Sequence, residues 1–471
     1  MLDEADITPL APDRFSQVLP AGAYRRFADV LNRGARALDG RTMWHVNTTL
    51  KGGGVAEMLG SMLPYAARAG IGCRWAVVDG DDEFLALTKR LHNALHGFAG
   101  DGGPLGIAEA ERYAATLARN ASALLPQVRP GDVVFVHDPQ TAGLIPALCD
   151  AGAIVIWHCH IGADEPNDIA REAWAFLLDE VTPARRYILS RRQYLWEGLD
   201  PARLRVIQPS IDAFSPKNQP LDDRGVDAIL KATGLIEGEP TAAPTFTRRD
   251  GGADIVKRPL ILMDDSGPVP EGAPVVLQSA RWDRLKDPTG VIDLFADHLA
   301  TAYPDVRLVL AGPSVAGVAD DPEGSEVLDE CVRRRRTLPA RTRERVHLVC
   351  SPMEDEDEAE VVVNAMQRRA DVVVQKSLAE GFGLVVAEAM WKRSAVVAGR
   401  VGGIQDQIED GRSGVLVEPR DGAGFARAVA GLLEHPDRAR AIGQRAHSRV
   451  RDRFLTPRQL QETLDLVMDL V

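Results

Sequence analysis

Two glutamates, Glu380 and Glu388, bracket the run Glu380-Gly-Phe-Gly-Leu-Val-Val-Ala-Glu388. The β-branched residues 371–375 read as a strand and 376–381 as a loop. A helix is then expected to start near Gly383 and to carry Leu384, Ala387, Glu388 and Trp391. The free N–H groups of a helix start favour an anion. A carboxylate accepts two hydroxyls of a vicinal diol with good geometry. At 1.5 Å rise per residue, Glu388 lies about 7.5 Å along the helix from Gly383. That separation suits one extended ligand, with a diphosphate at the helix start, a sugar against Glu380 and a ribose against Glu388. Taken singly, one Glu would be a helix cap and the other an exposed helical residue; the joint spacing and the two glycines favour the ligand.

Two further stretches carry similar chemistry. Ser279-Ala-Arg-Trp-Asp-Arg-Leu-Lys286 follows an apolar strand at 275–279. Around a turn, Arg281 and Lys286 reach one point and would neutralise a diphosphate, Arg bidentately and Lys as a point charge. The alternative is a pair of surface cations. Near the start of the chain, the strand at 43–46 leads into Gly52, Gly53 and Gly54 and then a helix with apolar Val55, Met58, Leu59, Met62 and Leu63. Three glycines let backbone N–H groups approach an anion closely. The pattern is not G-x-G-x-x-G, and a tight turn holding no ligand stays open.

Other candidates read as structural. His158, Cys159 and His160 raise the question of a metal, but a continued strand is taken to point residues 158 and 160 to opposite faces. No fourth ligand is near in sequence, so no metal is expected. Asp264 and Asp265 resemble a carboxylate pair for a divalent cation, yet they follow no core strand and read as surface acid. Residues 333–336, all Arg, read as a solvated face, and 354–360 as an acidic helix start that suits the macrodipole.

The elements that must position these residues alternate strand and helix almost throughout. Strands are expected at 43–46, 74–78, 133–137, 154–158, 186–189 and 205–207, then at 275–279, 307–310, 346–349, 371–375, 395–398 and 415–417. This alternation predicts parallel sheets covered by helices on both faces. Between the two series, residues 233–274 hold six prolines and the pair Gly251, Gly252. They read as a loop or ordered insertion at the edge of the second domain, near the inter-domain cleft, with a candidate edge strand at 260–263. The domains are placed at 1–212 and 213–455. Residues 456–471 form a terminal helix, with Leu460, Leu464, Val467, Leu470 and Val471 on one face. It is expected to dock back on the first domain.

The bulk numbers exclude several classes. With 471 residues and 45% hydrophobic content, two ordinary cores can be filled. A net charge of -13 argues against a general nucleic-acid surface. Five widely spaced cysteines with no C-x-x-C pair suit free thiols in a reducing cytoplasm. Residues 1–12 are acidic and lack the apolar centre of a signal peptide, and no apolar stretch of about 18 residues would span a bilayer.

Together, Gly52–54, Arg281 with Lys286, and Glu380 with Glu388 resemble the family-4 retaining glycosyltransferases across nearly the whole chain. Several stretches are similar to the glycosyltransferring trehalose synthases within that family. They are Trp44-His-Val-Asn47, Gly52-Gly-Gly-Val-Ala-Glu57, Thr88-Lys89 with His92-Asn93-Ala-Leu95, His137-Asp-Pro-Gln140, Pro209-Ser-Ile-Asp212 and Glu388-Ala-Met-Trp-Lys392. Trehalose phosphorylases of the fungal type look similar in the same places. The resemblance implies an α/β GT-B fold, two doubly wound parallel-sheet domains facing across a cleft. It implies glucosyl transfer from a nucleoside diphosphate glucose, as co-substrate, to a small sugar acceptor, glucose giving trehalose. No cofactor and no metal are implied. Arg281 and Lys286 would bind the donor diphosphate. Glu380 would hold donor-sugar hydroxyls, with the backbone of Phe382, Gly383 and Leu384 completing that pocket. Glu388 would bind the ribose, and Gly53 and Gly54 would approach the phosphate. His160 would lie near the transferred glucose, and Asp138 and Gln140 would seat the acceptor.

The chain departs from the family pattern after His160. Gly162 follows Ile161 where the trehalose synthases carry Asp, and Asp164 stands two positions on. That departure and the 233–274 insertion bear on the acceptor more than on the donor. A phosphorylase, a nucleotide-sugar epimerase and a non-catalytic sugar-binding protein are the rival readings. The base of the nucleotide is not encoded in these motifs, and a homodimer stays open.

Overall fold

The computed structural model describes residues 3–50, 53–315 and 323–471; Gly52 of the glycine run lies outside them. The chain divides into two compact units. One comprises the described residues through Ile211, together with Glu380–Phe382 and Phe454–Val471. The other comprises Asp212–Ala379 and Gly383–Arg453.

The first unit holds one sheet of seven strands: β1 Asp3–Glu4, β2 Met43–Asn47, β3 Cys73–Val77, β4 Val133–His137, β5 Ile154–Cys159, β6 Arg186–Leu189 and β7 Leu204–Val206. Their spatial order is β1-β3-β2-β4-β5-β6-β7. All neighbours are parallel except the short edge strand β1, which runs antiparallel to β3 and has no apolar signature in sequence. Every residue of β2 and β4 is buried, as strands covered on both faces must be. The helix Gly54–Arg68 follows β2 and buries Met58, Leu59, Met62 and Leu63. The helix Thr456–Met468 packs in this unit, where the Leu464 side chain lies against Gly34 of the helix Ala21–Ala37 and Gln459 accepts from the Ser210 hydroxyl at 2.7 Å.

The second unit repeats the architecture. Its main sheet contains β10 Ile261–Leu262, β11 Val275–Ser279, β12 Arg307–Pro313, β13 Val346–Ser351, β14 Val372–Gln375, β15 Val396–Gly399 and β16 Val415–Val417. The order is β10-β13-β12-β11-β14-β15-β16, again parallel except at the β10 edge. Apart from those edge strands, in both units the parallel series starts inside the sheet, at β2 and at β11, winds out one way and then crosses back to wind out the other. This is the doubly wound plan. The strand order reverses between β2 and β4 in the first unit and between β11 and β14 in the second.

The insertion is more regular than its composition implies. Thr245–Thr247 (β8) and Ala253–Ile255 (β9) form a hairpin, and β10 extends the main sheet. Its arginines grip the acidic start of the helix Glu356–Arg369. Arg248 binds Asp355, Arg249 binds Glu360 and Arg258 binds Glu358. Those acids therefore do more than face a helix dipole.

Two readings of charge need correction. Arg335 is buried, and it donates to the carbonyl of Val346 at 2.7 Å and to the Asp264 carboxylate at 2.9 Å. The four-arginine run is thus not a uniformly solvated face. Asp264 is likewise no surface acid; it pairs with both Arg335 and Arg336, which hold its carboxyl below the usual range against the opposing effect of burial. No helix among the described residues is long and apolar enough to cross a membrane.

Candidate active site

In doubly wound sheets, ligands collect beyond the carboxyl ends of the strands where the order reverses, because the loops there diverge and leave a crevice. In the second unit that point falls after β11 and β14. The β11 loop carries Arg281 and Lys286, both half-buried. The β14 loop leads to Gly383 and the helix Leu384–Trp391. Gln278 ties the loops together. Its side chain donates to the carbonyl of Lys286 at 3.0 Å and accepts from the backbone N–H of Lys376 at 3.0 Å. Leu378 N–H adds a bond to the carbonyl of Leu285, 2.7 Å, and the Lys376 ammonium pairs with Asp287. The cation turn and the helix start are therefore held as one piece.

Gly383 sits at φ 87° as the residue capping that helix, a left-handed conformation that costs glycine little. Gln407 donates to its carbonyl at 3.1 Å. One turn on, Glu388 is 1% exposed, with the Lys217 ammonium 3.6 Å from its Oε1. Lys392 donates to Asn218 Oδ1 at 2.8 Å and to the carbonyl of Glu388 at 3.2 Å. Sequence reasoning named neither Lys217 nor Asn218. Both lie far from the 380–388 run in sequence, and their only signal was the neighbouring Pro209-Ser-Ile-Asp212 segment.

The first unit places Asp138, Gln140, His160 and Gly53 beyond the carboxyl ends of β2, β4 and β5. Asp138 holds φ 59°, and its carboxylate accepts from the backbone N–H of His160 at 2.7 Å. Burial pushes its carboxyl up from the ordinary value. The Gln140 side-chain oxygen is buried with no hydrogen-bond partner among the described residues. Gly53 caps the helix Gly54–Arg68 in extended backbone, so its identity is not demanded by φ.

Glu380, Gly381 and Phe382 pack in this unit too. A Cβ added at Gly381 would overlap the carbonyl oxygen of His160. The Tyr194 hydroxyl lies 3.0 Å from the carbonyl oxygens of both Glu380 and Gly381. Nothing in the spacing around Tyr194 signalled this role. Gly162 is also explained, since a Cβ there would run into the Tyr194 ring. Asp164, two residues on, pairs with Arg191 at 2.6 Å.

The histidines need a correction. Residues two apart on a strand share a face, and the rings of His158 and His160 stand 4.1 Å apart. His137, register partner of His158 on the neighbouring strand, joins them. A ring nitrogen from each of the three lies within 4.8 Å of the others. Burial lowers the pKa of all three below the ordinary imidazole value.

Comparison with known proteins follows the same division. Residues 45–196 match the family described as "Trehalose synthase, N-terminal domain". Residues 263–449 match "Glycosyl transferases group 1". A trehalose synthase of Rubrobacter xylanophilus is 36% identical over 442 residues, 93% of this chain and 91% of that one. The chain belongs to the trehalose synthase family of group 1 glycosyltransferases. A trehalose phosphorylase of Pleurotus sajor-caju is 28% identical over 82% of this chain but only 51% of its own length. Among solved structures, an α,α-trehalose-phosphate synthase (UDP-forming) from Burkholderia vietnamiensis superposes with a TM-score of 0.66 at 15% identity. That match covers 92% of this chain and 100% of the other. The glycosyltransferase fold is GT-B.

Proposed function

We propose that this glycosyltransferase moves glucose from a nucleoside diphosphate glucose to a small sugar acceptor with retention at the anomeric carbon, and that the acceptor is glucose, giving trehalose. The observation that carries the donor half is the Gln278 tie, which joins the Arg281 and Lys286 turn to the loop leading to Gly383 where the strand order reverses. The acceptor half rests on the 36% identity to a trehalose synthase.

In this reading Arg281 and Lys286 take the diphosphate, and the N–H groups after Gly383 add partial positive charge. Phe382, Gly383 and Leu384 line the donor pocket by their backbone. Glu380 holds hydroxyls of the transferred sugar and Glu388 those of the ribose. Gly53 and Gly54 approach the phosphate, and His160 faces the glucose. Asp138 fixes the His160 backbone, while Gln140 offers its unpaired oxygen to an acceptor hydroxyl. The C–O bond to the diphosphate breaks as positive charge grows on the anomeric carbon. The acceptor hydroxyl attacks from the same face, and its proton passes to the departing phosphate oxygen. Catalysis is then positioning plus stabilisation of the leaving charge, with no metal required.

The test is a mass-spectrometric screen of ADP-, UDP- and GDP-glucose with glucose and other small acceptors. A disaccharide from at least one donor is expected. Hydrolysis alone with every acceptor would count against the reading. The 28% identity to a trehalose phosphorylase supports a second reading. Trehalose plus inorganic phosphate yielding glucose 1-phosphate, with no turnover of any nucleotide sugar, would select it.

A further inference from the structure

We propose that His137, His158 and His160 form a binding site for a borderline transition-metal ion of the Zn2+ class, and that an ion bound there blocks transfer by engaging His160. The blocking role rests on the reading of His160 as facing the transferred glucose; the metal site itself does not.

Two adjacent parallel strands create the geometry. His137 and His158 are register partners at the carboxyl ends of β4 and β5, and His160 follows on the same side. Their ring centroids are 5.1 Å apart for His137 and His158, 4.1 Å for His158 and His160, and 5.8 Å for His137 and His160. The candidate ligand nitrogens lie within 4.8 Å of one another. With Zn–N bonds near 2.05 Å, a tetrahedral site needs them about 3.3 Å apart. His160 lies beyond the end of β5 and is the most exposed of the three, so rotation of its ring is the natural way to close that gap.

The chemistry of the donors fits. His137 Nδ1, His158 Nε2 and His160 Nε2 are all buried with no hydrogen-bond partner among the described residues. A buried polar atom left unpaired is costly, and an ion held by these rings would relieve that cost. Burial lowers the pKa of all three rings and so favours the neutral form, which binds metal. The opposite nitrogen of His137, Nε2, lies 3.0 Å from Nδ1 of His45, which stacks on Phe135. Ligating histidines commonly have such a partner, which sets ring orientation and tautomer. Three imidazoles with a fourth position open to water or a hydroxyl form a site that a divalent ion of this class accepts. Asp138 does not compete as a ligand through Oδ1, because that oxygen accepts from His160 N–H.

The experiment uses the full chain, stripped of metal with EDTA, and Co2+ as a spectroscopic probe. Titration should bring up the intense visible bands of tetrahedral Co2+, and Zn2+ should bleach them. Transfer should fall in step with Zn2+ occupancy. His158→Gln should lose the bands and keep its metal-free transfer rate. Its half-inhibiting Zn2+ concentration should rise by at least about tenfold, the scale that even an outer-shell change produces. Absence of the bands in the wild type, or their persistence in His158→Gln, overturns the site. Bands without inhibition overturn the blocking role. X-ray absorption of the wild-type Zn2+ complex gives a check independent of any variant, and fewer than three imidazole ligands would overturn the proposal. Co2+ binding is read without substrate, so a failure of the glucosyltransferase reading leaves that result standing.

Discussion

The phenolic oxygen of Tyr194 lies 3.0 Å from the carbonyl oxygens of both Glu380 and Gly381, so one buried hydroxyl holds the loop that presents Glu380. A single proton is shared between the two acceptors. Tyr194→Phe keeps the ring and removes the donor that both carbonyls share, at a cost of about 1–3 kcal/mol. If Glu380 holds the donor sugar, the loosened loop should raise KM for the nucleotide sugar and lower kcat, together by about tenfold in kcat/KM. Steady-state kinetics with a thermal melt checks this. A melt shift with unchanged kinetic constants would show that Tyr194 serves stability alone.

Gly381→Ala addresses the same loop from the backbone. The added methyl would meet the carbonyl of His160, a main-chain atom that cannot swing aside. The loop must shift instead. A displacement of about 1 Å at a catalytic contact costs on the order of 100-fold in rate. We expect circular dichroism close to the wild type and transfer reduced to about that extent. Wild-type turnover in Gly381→Ala would remove Glu380 from the site.

The strands were legible because runs such as Val133-Val-Phe-Val-His137 are apolar on both faces, which only a sheet covered on both sides demands. The loop and helix around Gly383 were legible because glycine and helical periodicity occur together locally. Tyr194 was not, since its partners lie 186 and 187 residues away and no spacing rule connects them. Arg335 looked like one of four surface arginines; only the fold brings Asp264 and the start of β13 to it. The facing of His158 and His160 followed from strand periodicity alone and was misjudged. The insertion concealed its order because its hairpin is secured by arginines bound to a distant helix, not by apolar alternation.

Lys217 and Glu388 form an ion pair at 3.6 Å with the carboxylate almost fully enclosed. Removing one partner of a buried pair typically costs about 3 kcal/mol or more. Lys217→Met should therefore lower stability by about that amount in urea unfolding. The double variant Lys217→Met/Glu388→Gln should recover most of it, because the buried charge is then gone. The double variant should not bind nucleotide normally if Glu388 holds the ribose. A double variant no more stable than Lys217→Met would mean that the two side chains do not interact energetically.

His347 provides a pH test away from the candidate site. It lies in β13, is 1% exposed and donates through Nδ1 to the carbonyl of Gly267 at 2.8 Å. Burial lowers its pKa from 6.5 to about 4. The unfolded chain therefore binds a proton at higher pH than the folded one. Stability from this residue is complete above about pH 6.5 and declines as pH falls toward 4, by about 3 kcal/mol in all. The neighbouring Arg307 and Arg335 act in the same direction, whereas the bond to Gly267 opposes it. Urea unfolding between pH 7 and pH 4 should show that slope. His347→Gln keeps a donor for Gly267 but cannot titrate, so its stability should fall less steeply by about one proton's worth, near 1.4 kcal/mol per pH unit. Identical slopes in the two proteins would show that His347 does not titrate differently on folding.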